Sequence, residues 1–112
     1  MVESEFYKWV QIRNCRRFYK RYYSTIFNAD QSLLKLLQIF GLLEVQEFSK
    51  YAPSALDAFS IKLENEIDIS GALGSKELQV TILKTNPHIL KAFEDTLAQW
   101  VKTQREIKIN VS

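Results

Sequence analysis

The apolar residues change their spacing midway along the chain, and that switch decides which elements each part can form. From Ser4 to about Tyr51 they recur at helical intervals, whereas from Phe59 onward several segments alternate apolar and polar. Glycines number only three and prolines two, so no flexible linker separates the parts and one shared core is expected. The spacing predicts an α+β fold in a single domain, residues 1–112. Its helical half, 1–53, would hold three helices packed against a β-β-α-β half, 54–112, with a sheet of about three strands.

A first helix is predicted from about Ser4 to Phe27. On a helical wheel Ile12, Cys15, Phe18, Tyr19, Tyr22, Tyr23 and Ile26 gather on one face. Arg13, Arg16, Arg17, Lys20 and Arg21 gather on the other, with Phe6, Trp9 and Val10 nearer the basic side. Asp30 suits an N-cap for a second, central helix, Gln31 to Phe40, stopped by Gly41. A third, about Leu42 to Tyr51, ends before Ala52-Pro53, and Ser54 with Asp57 forms a short capping box.

Phe59, Ile61, Leu63, Ile67 and Ile69 then read as one half-buried strand, or two meeting near Asn65. Gly71 to Lys76 is a turn, and Leu78, Val80 and Ile82 mark an antiparallel neighbour. Asn86-Pro87 starts a helix through about Thr103, buried along Ile89, Leu90, Phe93, Leu97, Trp100 and Val101. Ile107, Ile109 and Val111 give a last strand, reached by a right-handed parallel crossover. Glu106 to Val111 or Phe59 to Ile69 would then be an open edge, inviting another chain.

Charge is uneven. Between Phe6 and Ala29 lie six basic residues, Lys8, Arg13, Arg16, Arg17, Lys20 and Arg21, and no acidic one. The remainder after Ala29 holds nine basic and eleven acidic residues, so the positive charge is local. Like charges repel along a helix face, and an anionic partner would offset that repulsion. Arg13, Arg16, Arg17, Lys20 and Arg21 with Trp9 are therefore the candidate contacts, to an acidic protein surface or a nucleic acid backbone. For nucleic acid, Trp9 or Phe6 would stack on an unpaired base.

Little points to catalysis, a cofactor or a metal. His88 and Cys15 are the sole histidine and cysteine, and they lie in different halves, which excludes the common metal-ligand spacings. His88 falls in the first turn of a helix, and Cys15 on an apolar face as an inert core thiol. Gly71-Ala72-Leu73-Gly74-Ser75-Lys76 leads into a strand, not the helix a phosphate-cradling loop requires. Glu64, Glu66 and Asp68 alternate along a strand toward one solvated face, with nothing apolar to raise a carboxyl pKa. The lone cysteine, and an acidic start without an apolar run, predict a cytoplasmic protein with no membrane span.

Residues Ile89 to Val111, with Leu97, Ala98, Trp100, Val101, Lys102 and Arg105 followed by Ile107, Ile109 and Val111, carry a resemblance. They resemble the helix and following strand of bacterial effector-associated constant component domains. The family's glycine- and alanine-rich approach is replaced here by Asn86-Pro87-His88. The resemblance implies a non-enzymatic adaptor of a bacterial conflict or defence system, and it carries over no binding residue.

Together these features predict a non-catalytic adaptor or accessory subunit that docks through the basic aromatic segment and a sheet edge. A homo-oligomer through that edge is one expected assembly. The alternative is a nucleic-acid-binding subunit using the same cations on phosphates.

Overall fold

Alternating side chains on Ala58–Leu63, Ile67–Ala72 and Glu77–Leu83 build the centre of a seven-stranded sheet. A computed structural model describes residues 2–3, 5–14, 17–64, 66–83 and 87–110, the side chains of 2, 3, 13, 14, 109 and 110 excepted. The strands are β1 (Val2–Glu3), β2 (Lys8–Asn14), β3 (Phe18–Ser24), β4 (Leu42–Gln46), β5 (Ala58–Leu63), β6 (Ile67–Ala72) and β7 (Glu77–Leu83). The helices are α1 (Gln31–Leu37), continued by a 3₁₀ turn at Gln38–Phe40, and α2 (Pro87–Asn110).

The sheet order is β1-β2-β3-β7-β6-β5-β4, and every pair is antiparallel. The chain builds β1 to β3, crosses through α1 to the far edge, and returns by β4, β5 and β6 to β7. One face of the sheet is covered. Leu78, Val80 and Ile82 of β7, Ile67 and Ile69 of β6, and Phe59 and Ile61 of β5 are buried on it. Across them lies α2, whose Phe93, Leu97, Trp100 and Val101 are at most 1% exposed. Their spacing of three and four residues is the stripe that the sequence predicted. Burying each such side chain stabilises by about 1.5–3 kcal/mol.

Helix α1 closes the end of this core. Asp30 caps it by accepting from the Leu33 amide at 3.1 Å, as its sequence predicts. Leu33, Leu34 and Leu37 face inward, and Trp100 Nε1 donates to Ser32 Oγ at 2.9 Å, joining α1 to α2. Gly41 then lets the chain press on β5, since a Cβ there would sit 2.3 Å from the Lys62 carbonyl oxygen.

These observations overturn the predicted architecture of three N-terminal helices and a three-stranded sheet. The supposed helix Ser4–Phe27 is the hairpin of β2 and β3, and the supposed helix Leu42–Tyr51 is β4 followed by a 3₁₀ turn at Phe48–Lys50. In both stretches β-branched and aromatic side chains pair with neighbouring strands, and tertiary pairing overrides a helical spacing. The C-terminal strand and its parallel crossover are absent as well, because α2 continues through Ile107 to Asn110. Val111 lies outside the described residues, as do Cys15, Asn65 and Asn86. The expected edges are therefore displaced: β5 and β6 are interior, and the edges are β1 with the uncovered part of β2, and β4. The predicted capping box gives way to a bridge, with Asp57 accepting from the Ser49 amide at 3.0 Å and its hydroxyl at 2.7 Å.

The helical end of the chain supplies a direct check. Leu97→Ala is expected to lower the unfolding free energy by about 2–5 kcal/mol, and Ile107→Ala, half-exposed on α2, by under about 1 kcal/mol. Urea unfolding of the two variants measures both, and comparable losses would contradict the packing of α2.

Candidate interaction surface

Strand periodicity puts Tyr19, Arg21 and Tyr23 on the covered face, opposite Ile82, Val80 and Leu78 of β7. Across the hairpin, Tyr23 faces Trp9 and Arg21 faces Gln11. Arg21 is thus a half-buried cation on the core side of the sheet. Its guanidinium carbon lies 3.6 Å from the Trp9 ring centroid and 4.8 Å from that of Tyr19. Its Nη1 donates to the Tyr23 hydroxyl at 3.3 Å, while Nε is buried without a hydrogen-bond partner. A desolvated cation–π contact stabilises by about 2 kcal/mol, and an orphaned buried donor costs about 1–3 kcal/mol. The two nearly cancel, so Arg21 is held in place without being strongly stabilising.

Tyr23 is the centre of the cluster. Its ring meets Phe93 at 5.0 Å and Tyr7 at 5.6 Å, both edge-on, and Trp9 at 6.4 Å. Tyr7 donates to Glu94 of α2 at 3.0 Å. Burial first, then the charge and hydrogen bond of Glu94, push the Tyr7 hydroxyl up to about 12. Burial also pushes the Tyr23 hydroxyl up, opposed by its bond from Arg21.

The cations predicted to share one face are dispersed. Arg21 points to the covered side, Lys20 and Lys8 lie on the opposite face, and Arg17 is exposed before β3. A register shift between Gln11 and Arg13 sets the backbone of Arg13 opposite Lys20, and Arg16 lies outside the described residues. Of the predicted contacts, the fold brings Trp9 and Arg21 together. Among the described residues no carboxylate forms an ion pair with Arg17, Lys20 or Arg21. Phe6 instead receives the Arg105 guanidinium at 5.4 Å, and Arg105 pairs with Glu5 at 3.2 Å.

Sequence reasoning missed Tyr7, Tyr19, Tyr23 and Glu94, which hold Trp9 and Arg21 in place. The available signal was the density of aromatics at alternate positions 7, 9, 19, 21 and 23, with one arginine among them. Glu64, Glu66 and Asp68 do not share one strand face: the first two flank the β5–β6 turn, and Asp68 pairs with Lys62 at 3.9 Å. His88 is exposed in the first turn of α2. The turn expected over Gly71–Lys76 is shorter, since Gly71 and Ala72 still pair in β6, and within it Gly74 stands at φ 93° with its amide donating to the Ala29 carbonyl at 2.9 Å. Among the described residues, no group of three or more His, Cys, Asp or Glu could hold a metal ion, and no helix is long and apolar enough to cross a membrane.

No protein-family model matches the chain, and no curated protein and no solved structure is similar to it.

Tyr7 makes the cluster sensitive to alkali. Its folded pKa is above the unfolded value of 10.0, so the folded chain keeps a proton that the unfolded chain loses. Stability therefore falls as pH rises from about 10 to about 12. Tyr7→Phe is expected to flatten that decline in urea titrations across the interval; an unchanged slope would show that Tyr7 does not carry it.

Proposed function

We propose that this chain is a non-catalytic interaction module that docks on an acidic partner surface through the β2–β3 hairpin. One observation carries the reading: the hairpin concentrates basic residues, and Arg17, Lys20 and Arg21 form no ion pair with a carboxylate among the described residues. Exposed Val10 and Tyr22 share the solvated face with Lys20, giving apolar area to a contact that charge orients. An adaptor role in a bacterial conflict system rests on the resemblance of residues 89–111 alone. A cytoplasmic location rests on the lone cysteine.

The alternative, a nucleic acid backbone on the same cations, is favoured by the aromatic planes of Trp9 and Tyr19 beside Arg21. Salt separates the two readings, because each phosphate contact adds to the slope of affinity against salt.

Arg17→Glu combined with Lys20→Glu changes exposed or half-exposed positions and leaves the core intact. Binding of a labelled polyglutamate peptide and of single-stranded DNA and RNA, followed by anisotropy, tests the reading. The acidic peptide is expected to bind the parent and to weaken at least about tenfold in the double variant. Tighter binding to DNA or RNA, with a log–log salt slope steeper than about −3, would assign the hairpin to nucleic acid. Binding of the peptide unchanged by the double variant, or no binding at low salt, would remove the hairpin as a docking site.

A further inference from the structure

We propose that the partner meets this chain as an acidic amphipathic helix laid along β3, on the face of the sheet opposite α2; the inference rests on the docking function proposed above. The register settles which residues share that face. Phe18, Lys20 and Tyr22 of β3 alternate with the core-side Tyr19, Arg21 and Tyr23, and Val10 of β2 stands beside Tyr22. Val10 and Tyr22 are 38 and 42% exposed, and neither they nor Phe18 belong to the core cluster on which α1 and α2 pack. Further across the same face stand Ser60 of β5, Ser70 of β6, and Gln79 and Thr81 of β7. Large apolar side chains and cations are thus gathered over the hairpin, and small polar ones over the centre of the sheet.

The place chooses the shape of the occupant. An extended peptide adds to the edge of a sheet, where strand amides stand free; on a face its own amides would meet only side chains. A helix bonds its backbone internally and needs only a matching stripe of side chains. Same-face residues of β3 stand about 7 Å apart, so Tyr22, Lys20 and Phe18 present apolar, cation and apolar over about 13 Å. Helix residues i, i+4 and i+8 recur at about 6 Å and 12 Å. Leucine, glutamate and leucine at those positions therefore meet Tyr22, Lys20 and Phe18 in turn.

Charge gives the helix its sign and its side. Lys20 lies mid-way along β3 and Arg17 is exposed just before it, whereas at the other end Lys8 and Glu77 flank Ser24 and offset each other. Toward β6 the face turns acidic: Glu66 lies near Phe18 and Leu83, and Asp68, two strands from Lys20, is paired with Lys62. An acidic helix is repelled from that side, so it covers β3 with β2, where Val10 adds to the contact. A width of about 10 Å suits two strands about 4.8 Å apart.

Labelled alanine-based peptides of about 16 residues test this. One alternates leucine and glutamate every four residues, a second scrambles that sequence, and a third carries a central proline that breaks the helix. By anisotropy the patterned peptide is expected to bind the full chain at about 100 µM or tighter, at least about tenfold better than the other two, with a gain of helical far-ultraviolet signal. Val10→Ser with Tyr22→Ser is expected to weaken it at least about tenfold. Because those serines can also loosen the hairpin, amide-shift mapping on the unaltered chain is the second measurement, and the shifts should gather in β2 and β3. If polyglutamate binds but the patterned peptide is no better than its scrambled or proline forms, the helix is overturned and acidic docking stands. Failure of every acidic peptide would remove both. Shifts centred on β4 or α2, self-association of the parent through β3, or displacement of the peptide by single-stranded DNA at lower concentration would also overturn the assignment.

Discussion

The fit of α2 against a single face of the sheet is the contact on which the rest of this molecule depends. Phe93 and Tyr23, both fully buried, meet edge-on at its middle, and Trp100 fixes the helix to α1 through Ser32. Seven strands alone would expose an apolar face with nothing to cover it. With α2 and α1 in place that face becomes the core, and its buried members form one continuous cluster. The opposite face stays open to solvent and is built from polar and small side chains such as Ser60, Ser70, Gln79 and Thr81.

That one-sided construction explains the character of Arg21. It occupies a core-side position of β3, yet it is only partly buried there. Two aromatic rings cover the guanidinium in place of a carboxylate, although Glu94 is close enough to bond Tyr7. The charge thus remains uncompensated by any ion pair among the described residues, and the stem is packed.

The elements legible in the sequence were those with a clean period. Strands β5 and β7, with one face buried and one solvated, alternate as such strands must, and α2 shows its stripe at three- and four-residue intervals. The hairpin β2–β3 hid for a physical reason. Tyr19 and Tyr23 pack inward while Phe18 and Tyr22 lie on the other face, so no alternation survives, and the register shift after Gln11 moves the pattern by one residue. No glycine or proline stands between Lys8 and Ser24 to mark where one strand ends and the next begins. The helical spacing makes Trp9 and Arg21 members of one basic helix. They meet because positions on facing strands come together, whereas Lys20 and Arg21 part because neighbours along a strand face opposite ways. Strand β4 failed differently: an edge strand keeps apolar side chains in solvent, which no amphipathic template anticipates.

The seam between β3 and β7 has a consequence for how the chain acquires its shape. Phe18 pairs with Leu83 and Ser24 with Glu77, so the middle of the sheet is stitched from segments far apart in sequence. Loop closure over such separations is slow, and contacts of this kind set the tempo of folding in proteins rich in strands. On a ribosome, β2 and β3 emerge long before β7 exists to meet them. Until then Tyr19 and Tyr23 wait without cover, in an interval when nascent chains are prone to stick to one another.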